Sequence, residues 1–141
     1  MKRKGFLFFK VLIGVFLLGI IAVTALPTIS SVYNNFNILK DKMEMIYIGE
    51  MIVEKIKAFN DDYLEDDYIF DMKLHHLIEE LRLNDSVKIT LPREDKEFDY
   101  YCTVLKNGDH SDIWELYVTV YPKEEESRLK NVEYKVYLPK K

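Results

Sequence analysis

From Phe6 to Leu26 the chain runs 21 residues in which only Lys10 and Thr24 break the apolar character. As a helix such a run spans about 30 Å, the thickness of a bilayer core. Pro27 follows; lacking a backbone N–H, it predicts a bend or a local loosening without ending the helix. Beyond it Val32, Phe36, Leu39, Met43, Ile46, Val53 and Ile56 recur at steps of three, four or multiples of these. That spacing predicts one face of an amphipathic helix, with Asn34, Asn35, Lys40, Asp41, Glu44 and Lys55 opposite. Only Gly49 interrupts it, as a tolerated weak spot. The pattern therefore predicts one helix from about Phe6 to Phe59. Residues 6–27 form a membrane stem, and 28–59 an amphipathic continuation packed on a soluble head.

The remainder, 60–141, reads as that head. Asn60 to Asp71 is acidic and lacks the glycine and ligand spacing of a calcium loop, so it predicts a solvated linker. The stretch DMKLHHLIEELRL places Leu74, Leu77, Ile78 and Leu81 at helical spacing. Strands are predicted at Val87–Leu91, Phe98–Leu105, Ile113–Tyr121 and Val132–Leu138, because apolar residues alternate there. In the third, Trp114, Leu116, Val118 and Val120 share a face. Asn107-Gly108 predicts a turn, and Pro122 with Glu124, Glu125 and Glu126 a longer connection. The fold class is α+β, a long N-terminal helix packed on a small antiparallel sheet of three to four strands.

Composition narrows the function classes. The chain of 141 residues is 48% apolar and 13% aromatic with a net charge of −4, which excludes a disordered tail and a strongly basic nucleic-acid binder. Charge is uneven: residues 11–39 contain no Asp, Glu, Lys or Arg, while 20 basic and 24 acidic residues are distributed over the rest. Lys2, Arg3 and Lys4 favour a cytoplasmic N-terminus and an extracytoplasmic head. Cys102 is the single cysteine, which rules out an intrachain disulfide and a thiolate zinc cluster. His75 and His76 are adjacent and point about 100° apart on a helix, an arrangement that chelates metal poorly; with His110 they make no HExxH spacing. No phosphate loop, nucleophile elbow or CxxC occurs, so the chain carries no catalytic constellation, no cofactor motif and no metal site.

Three readings of the N-terminus follow from the residues: an uncleaved single-pass anchor, a secretory signal peptide ending near Val23-Thr24-Ala25, and a short leader before a stem. Several positions in register favour the third. The basic leader of residues 1–5 ends in Gly5, and Phe6 begins the stem. Gly19 falls 14 residues into that stem and Pro27 falls 22 residues in. In these features the chain resembles the type IV pilin and type II secretion pseudopilin family. Tyr47–Phe59, YIGEMIVEKIKAF, is similar to the segment after the stem in minor pilins of the PilV and pseudopilin-I type. The strands Trp114–Tyr121 and Val132–Leu138 loosely resemble their terminal hairpin.

The resemblance implies a filament subunit. A prepilin peptidase would cut between Gly5 and Phe6 and methylate the new Phe6 amine. The subunit would then join other pilins or pseudopilins at an inner-membrane assembly platform, with Lys10, Gly19 and Pro27 in the bundled stems. The systems implied are a type IV pilus, a competence pseudopilus or a type II secretion-like filament, extracellular or periplasmic. One position departs from the family, which usually has glutamate as the fifth mature residue, where this chain has Lys10. Lys10 either snorkels from the first turns to the headgroups, or acts in assembly and places the subunit at the filament tip. Cutting at Gly5 would remove Lys2, Arg3 and Lys4, taking 20 basic residues to 17 against 24 acidic, so the net charge moves from −4 to −7. Such a chain does not suit general DNA backbone binding. The rival class is a single-pass anchored extracytoplasmic binding domain that enters no filament.

Overall fold

The computed structural model describes residues 2–61, 67–94, 98–108, 112–123 and 129–141, with side chains from residue 5. Its elements are α1 (Lys2–Ala58), β1 (Tyr68–Ile69), β2 (Met72–Lys73), α2 (Leu74–Leu83), β3 (Val87–Leu91), β4 (Tyr100–Lys106), β5 (Ile113–Pro122) and β6 (Val132–Pro139). The chain divides into two compact units, Met1–Leu39 and Lys40–Lys141. The first unit is helix alone. The second is the α+β head: the rest of α1 packed on a four-stranded antiparallel sheet, beside a small two-stranded sheet.

The sheet order β3-β4-β5-β6 is that of successive antiparallel neighbours, and its register follows the pleat. Val104 pairs with Ile89 on one side and Val118 on the other, and Cys102 with Leu91 and Val120. Alternation sends Cys102, Val104, Trp114, Leu116, Val118 and Val120 to the covered face, where all are buried. On β6 the pattern is softer: Val132, Tyr134 and Val136 are half-buried inward, while Glu133, Lys135 and Tyr137 are exposed. α2 contributes Leu74, Leu77, Ile78 and Leu81 to the same core. Gly108 has φ 65°, in the left-handed region that glycine adopts without strain; residues 109–111, which would complete the turn expected at Asn107-Gly108, lie outside the described residues.

Two expectations need correction. The first is the packed face of α1. In the head, Met45, Ile52 and Ile56 are fully buried together with Gly49, whereas Met43 is 63% exposed and Ile46 and Val53 are half-buried. Val32, Phe36 and Leu39, in the other unit, are also exposed. The physical reason is angle. At about 100° per residue Ile56 stands about 140° around the helix from Met43, so the series from Val32 to Ile56 is not one face. Met45, Gly49, Ile52 and Ile56, spread over eleven residues, return to nearly the same angle.

The second concerns the acidic stretch, which does more than solvate. Asp67 pairs with Lys55 of α1, and Asp61 holds Arg82 of α2 at 2.6 Å. Ile69 is fully buried in the small sheet, and the Asp71 carboxylate accepts the backbone N–H groups of Arg93 (2.9 Å) and Glu94 (2.8 Å). Residues 62–66 of that stretch lie outside the described residues, as do His110, Glu124, Glu125 and Glu126. The helix expected over residues 71–83 begins at Leu74, because Met72 and Lys73 are taken into β2.

Candidate functional site

The residues singled out at the N-terminus all lie on α1, which continues unbroken past Pro27. Between Phe6 and Leu26 every side chain is exposed apart from Ala25, which is half-buried, so no described residue of the first unit covers the apolar surface. The helix is long and apolar enough to cross a membrane. Backbone polarity is contained within it. The Thr24 hydroxyl donates to Ile20 O (3.0 Å), and the Thr28 hydroxyl donates to Thr24 O (2.9 Å). Two threonines beside a proline thus present no unpaired hydroxyl donor to a lipid environment.

The structure brings Phe6 and Lys10 together. One turn apart, they place the Lys10 ammonium 4.6 Å from the centre of the Phe6 ring, within the range of a cation–π contact. The ammonium therefore lies back toward the N-terminus. Gly19 is nine residues beyond Lys10 and stands about 180° around the helix from it. Nothing lies within 4 Å of where a Cβ would sit on Gly5 or Gly19. Neither glycine is required by a contact among the described residues.

On the head, a groove of about 640 Å³ runs along α1. Tyr47, Met51, Phe59 and Leu74 give it an apolar floor, and Glu50, Glu54 and Asp67 an acidic rim. Its lysine, Lys55, is committed to Asp67 and to Tyr68 O (2.9 Å). His75 borders it with Nε2 at 3.2 Å from Glu79 and with Nδ1 buried and unpaired. The His75 and His76 rings are 6.2 Å apart with planes inclined 50°, and among the described residues no three His, Cys, Asp or Glu side chains converge on a metal position. Cys102 is shut inside the sheet, where burial pushes its thiol up to about 12, far from a reactive thiolate.

Sequence reasoning missed two polar clusters. Lys106 is 1% exposed and donates to the carbonyls of Leu81 and Asn84, both at 2.8 Å, at the C-terminal end of α2. A cation there meets the negative end of the helix dipole. Its signal was present, since Lys106 takes the next inward position of β4 after Cys102 and Val104. The second cluster is on the outer face of the sheet. Glu115 accepts from Lys135 (2.6 Å), Tyr117 (2.8 Å) and Tyr137 (3.4 Å). These bonds, led by that from Lys135, hold the Glu115 carboxyl below its ordinary range. No protein family, no curated protein and no solved structure matches this chain.

Proposed function

We propose that this chain is a membrane-anchored minor pilin or pseudopilin, a structural subunit of a type IV pilus, competence pseudopilus or type II secretion-like filament. One observation carries the reading: an uncovered apolar stem, with Lys10 its one charged residue, is continuous, in one helix, with the segment that packs the α+β head. A stem of this kind exchanges lipid for other stems when subunits assemble, with helix packing replacing lipid contact. Gly5, Phe6, Gly19 and Pro27 stand in the register that the resemblance requires. On this reading the N-terminus is cytoplasmic and the head extracytoplasmic. The partners are a prepilin peptidase, an assembly platform and fellow subunits, and the chain is no enzyme.

A second reading is favoured by the apolar-floored groove beside α1, which suits an anchored extracytoplasmic binding domain outside any filament. Processing separates the two. Mass spectrometry of the membrane-extracted chain, co-expressed with a prepilin peptidase, is expected to show N-methylated Phe6 as the first residue, and Gly5→Val is expected to block the cut. An intact N-terminus under those conditions supports the anchored binding domain. A chain beginning at Leu26 sinks both.

A further inference from the structure

We propose that the groove along α1 of the head takes a basic amphipathic helix of a partner protein. The groove belongs to the head alone, so this partner goes beyond the filament reading and stands with or without it. Tyr47, Glu50, Met51, Glu54 and Ala58 line its α1 wall. At about 100° per residue these five lie on one side of the helix. The core residues Met45, Gly49, Ile52 and Ile56 lie on the other side, so α1 is two-sided in the head. Met43 stands one turn before Tyr47 on the groove side, and the two are 63% and 67% exposed. With Met51 they follow at steps of four, an exposed apolar ridge of the kind that marks an interaction surface.

Backbone accounting selects a helix as the occupant. The α1 wall is helical as far as Ala58, so its N–H groups are already bonded within it. An extended segment laid on that wall would leave its own N–H and C=O groups unpaired over an apolar floor. A helix arrives with those groups already paired. Tyr47 to Ala58 is about 16 Å of helix, three turns, which matches the i, i+3, i+4 and i+7 anchors of a helix lying in a groove.

Charge selects the sign of the partner. Glu50 and Glu54 stand one turn apart beside the ridge, and both are exposed. Glu50 enters no ion pair among the described residues, and Glu54 meets Lys57 at 3.4 Å with both side chains more than half exposed. Among the described residues the one lysine lining the groove, Lys55, is already held by Asp67 and Tyr68 O. α1 ends at Ala58, which sets the negative end of its dipole at the same groove. These charges repel nucleic acid and an anionic lipid surface. A second copy offering the same face would bring Glu50 and Glu54 against their counterparts. A helix with an apolar face flanked by lysine or arginine complements both the ridge and the charge.

The test is fluorescence anisotropy with the full chain in non-ionic detergent. The probe is a labelled helical peptide about four turns long, built of leucine and lysine with the leucines on one face, and empty micelles give the background. This peptide is expected to bind about ten-fold tighter than one with glutamate in place of lysine. Glu50→Lys/Glu54→Lys and Tyr47→Ser are each expected to weaken binding about ten-fold. All three residues are exposed, so the urea midpoint of these variants is expected to stay unchanged. Glu133→Lys, a charge reversal on the outer face of the sheet, is expected to leave the affinity within about two-fold. Equal affinity for the two peptides, a Glu133→Lys loss as large as that of the groove variants, or no effect of Tyr47→Ser overturns the proposal. Self-association of the chain that Glu50→Lys/Glu54→Lys abolishes gives the groove to a second copy and overturns it as well. The first residue found after co-expression with a prepilin peptidase reads the filament proposal separately, so the two failures are distinct.

Discussion

Tyr134 of β6 lies directly over Gly49 of α1, and its hydroxyl donates to the carbonyl of Ile46 at 3.1 Å. A Cβ on Gly49 would stand 2.8 Å from Tyr134 Cδ2 and closer still to Cε2. The glycine is therefore the place where the helix admits an aromatic ring from the sheet's last strand. Two effects oppose each other on Gly49→Ala. Helix propensity favours alanine by about 1 kcal/mol, and overpacking costs about 1–3 kcal/mol. The ring is held at its far end by the hydrogen bond, so it has little room to yield and the clash wins. Gly49→Ala is expected to lower the urea midpoint of the detergent-solubilised chain. In Gly49→Ala/Tyr134→Ala the loss is expected to be smaller than the sum of the single losses, since the two sites share one contact. A midpoint unchanged or raised in Gly49→Ala would show that the ring moves aside.

Lys106 tests a different balance. Exchanging a buried charge for an apolar side chain is often neutral when all its partners are exchanged with it. Here the partners are the carbonyls of Leu81 and Asn84, which remain after Lys106→Met. Leaving buried acceptors without donors costs about 1–3 kcal/mol. Lys106→Met is expected to destabilise the head by that order, with the end of α2 showing the largest gain in amide exchange. Unchanged exchange at Leu83 to Asp85 would sink this account of the cap.

Alkaline pH should weaken the head in two steps with one sign. Burial, reinforced by Glu44 and Asp41, pushes the Tyr100 hydroxyl from its ordinary 10 up to about 12, and burial pushes the Cys102 thiol from 9 to about 12. Both groups fold in their neutral forms, so their stabilisation is complete below the unfolded values. It is lost as pH rises through about 9 for Cys102 and about 10 for Tyr100, up to about 12. Tyr100→Phe is expected to flatten the fall in unfolding midpoint between pH 10 and 12. At pH 8 a thiol reagent is expected to label Cys102 only after denaturant is added, and rapid labelling of the native chain would contradict its burial.

Lys10 yields the prediction most dependent on the proposed function. In the resemblance, glutamate at this place is thought to attract the N-terminal amine of the subunit already at the filament base. On the proposed function Lys10 would meet that amine as a like charge, which at about 4 Å and an effective dielectric near 20 costs about 4 kcal/mol. Joining beneath another subunit is disfavoured, while a subunit at the tip has nothing above it. A labelled head is expected at filament ends in low copy, and Lys10→Glu is expected to spread it along the shaft. Labels spaced along wild-type filaments would refute the tip role, as would an unchanged filament count on deletion.

Much of the architecture was legible in the sequence because it depends on period. Alternation along β5 and β6 put the strands in place, and the unbroken helical pattern carried α1 through Pro27. The apolar stem was likewise plain, since its signal is composition over a length set by a bilayer. What local pattern could not supply was which side of α1 the sheet takes. Steps of three and four were read as one face although they wander around a 3.6-residue helix, so Met43 was placed on the packed side until the sheet's position decided for Met45, Gly49 and Ile52. The same limit hid the partners of Lys106 and of Asp71. Leu81 and Asn84 lie more than twenty residues before Lys106, and Arg93 lies as far beyond Asp71. A buried charge or a carboxylate cap is defined by who stands opposite. Periodicity is a property of neighbours along the chain, and those partners become neighbours only when the chain closes on itself.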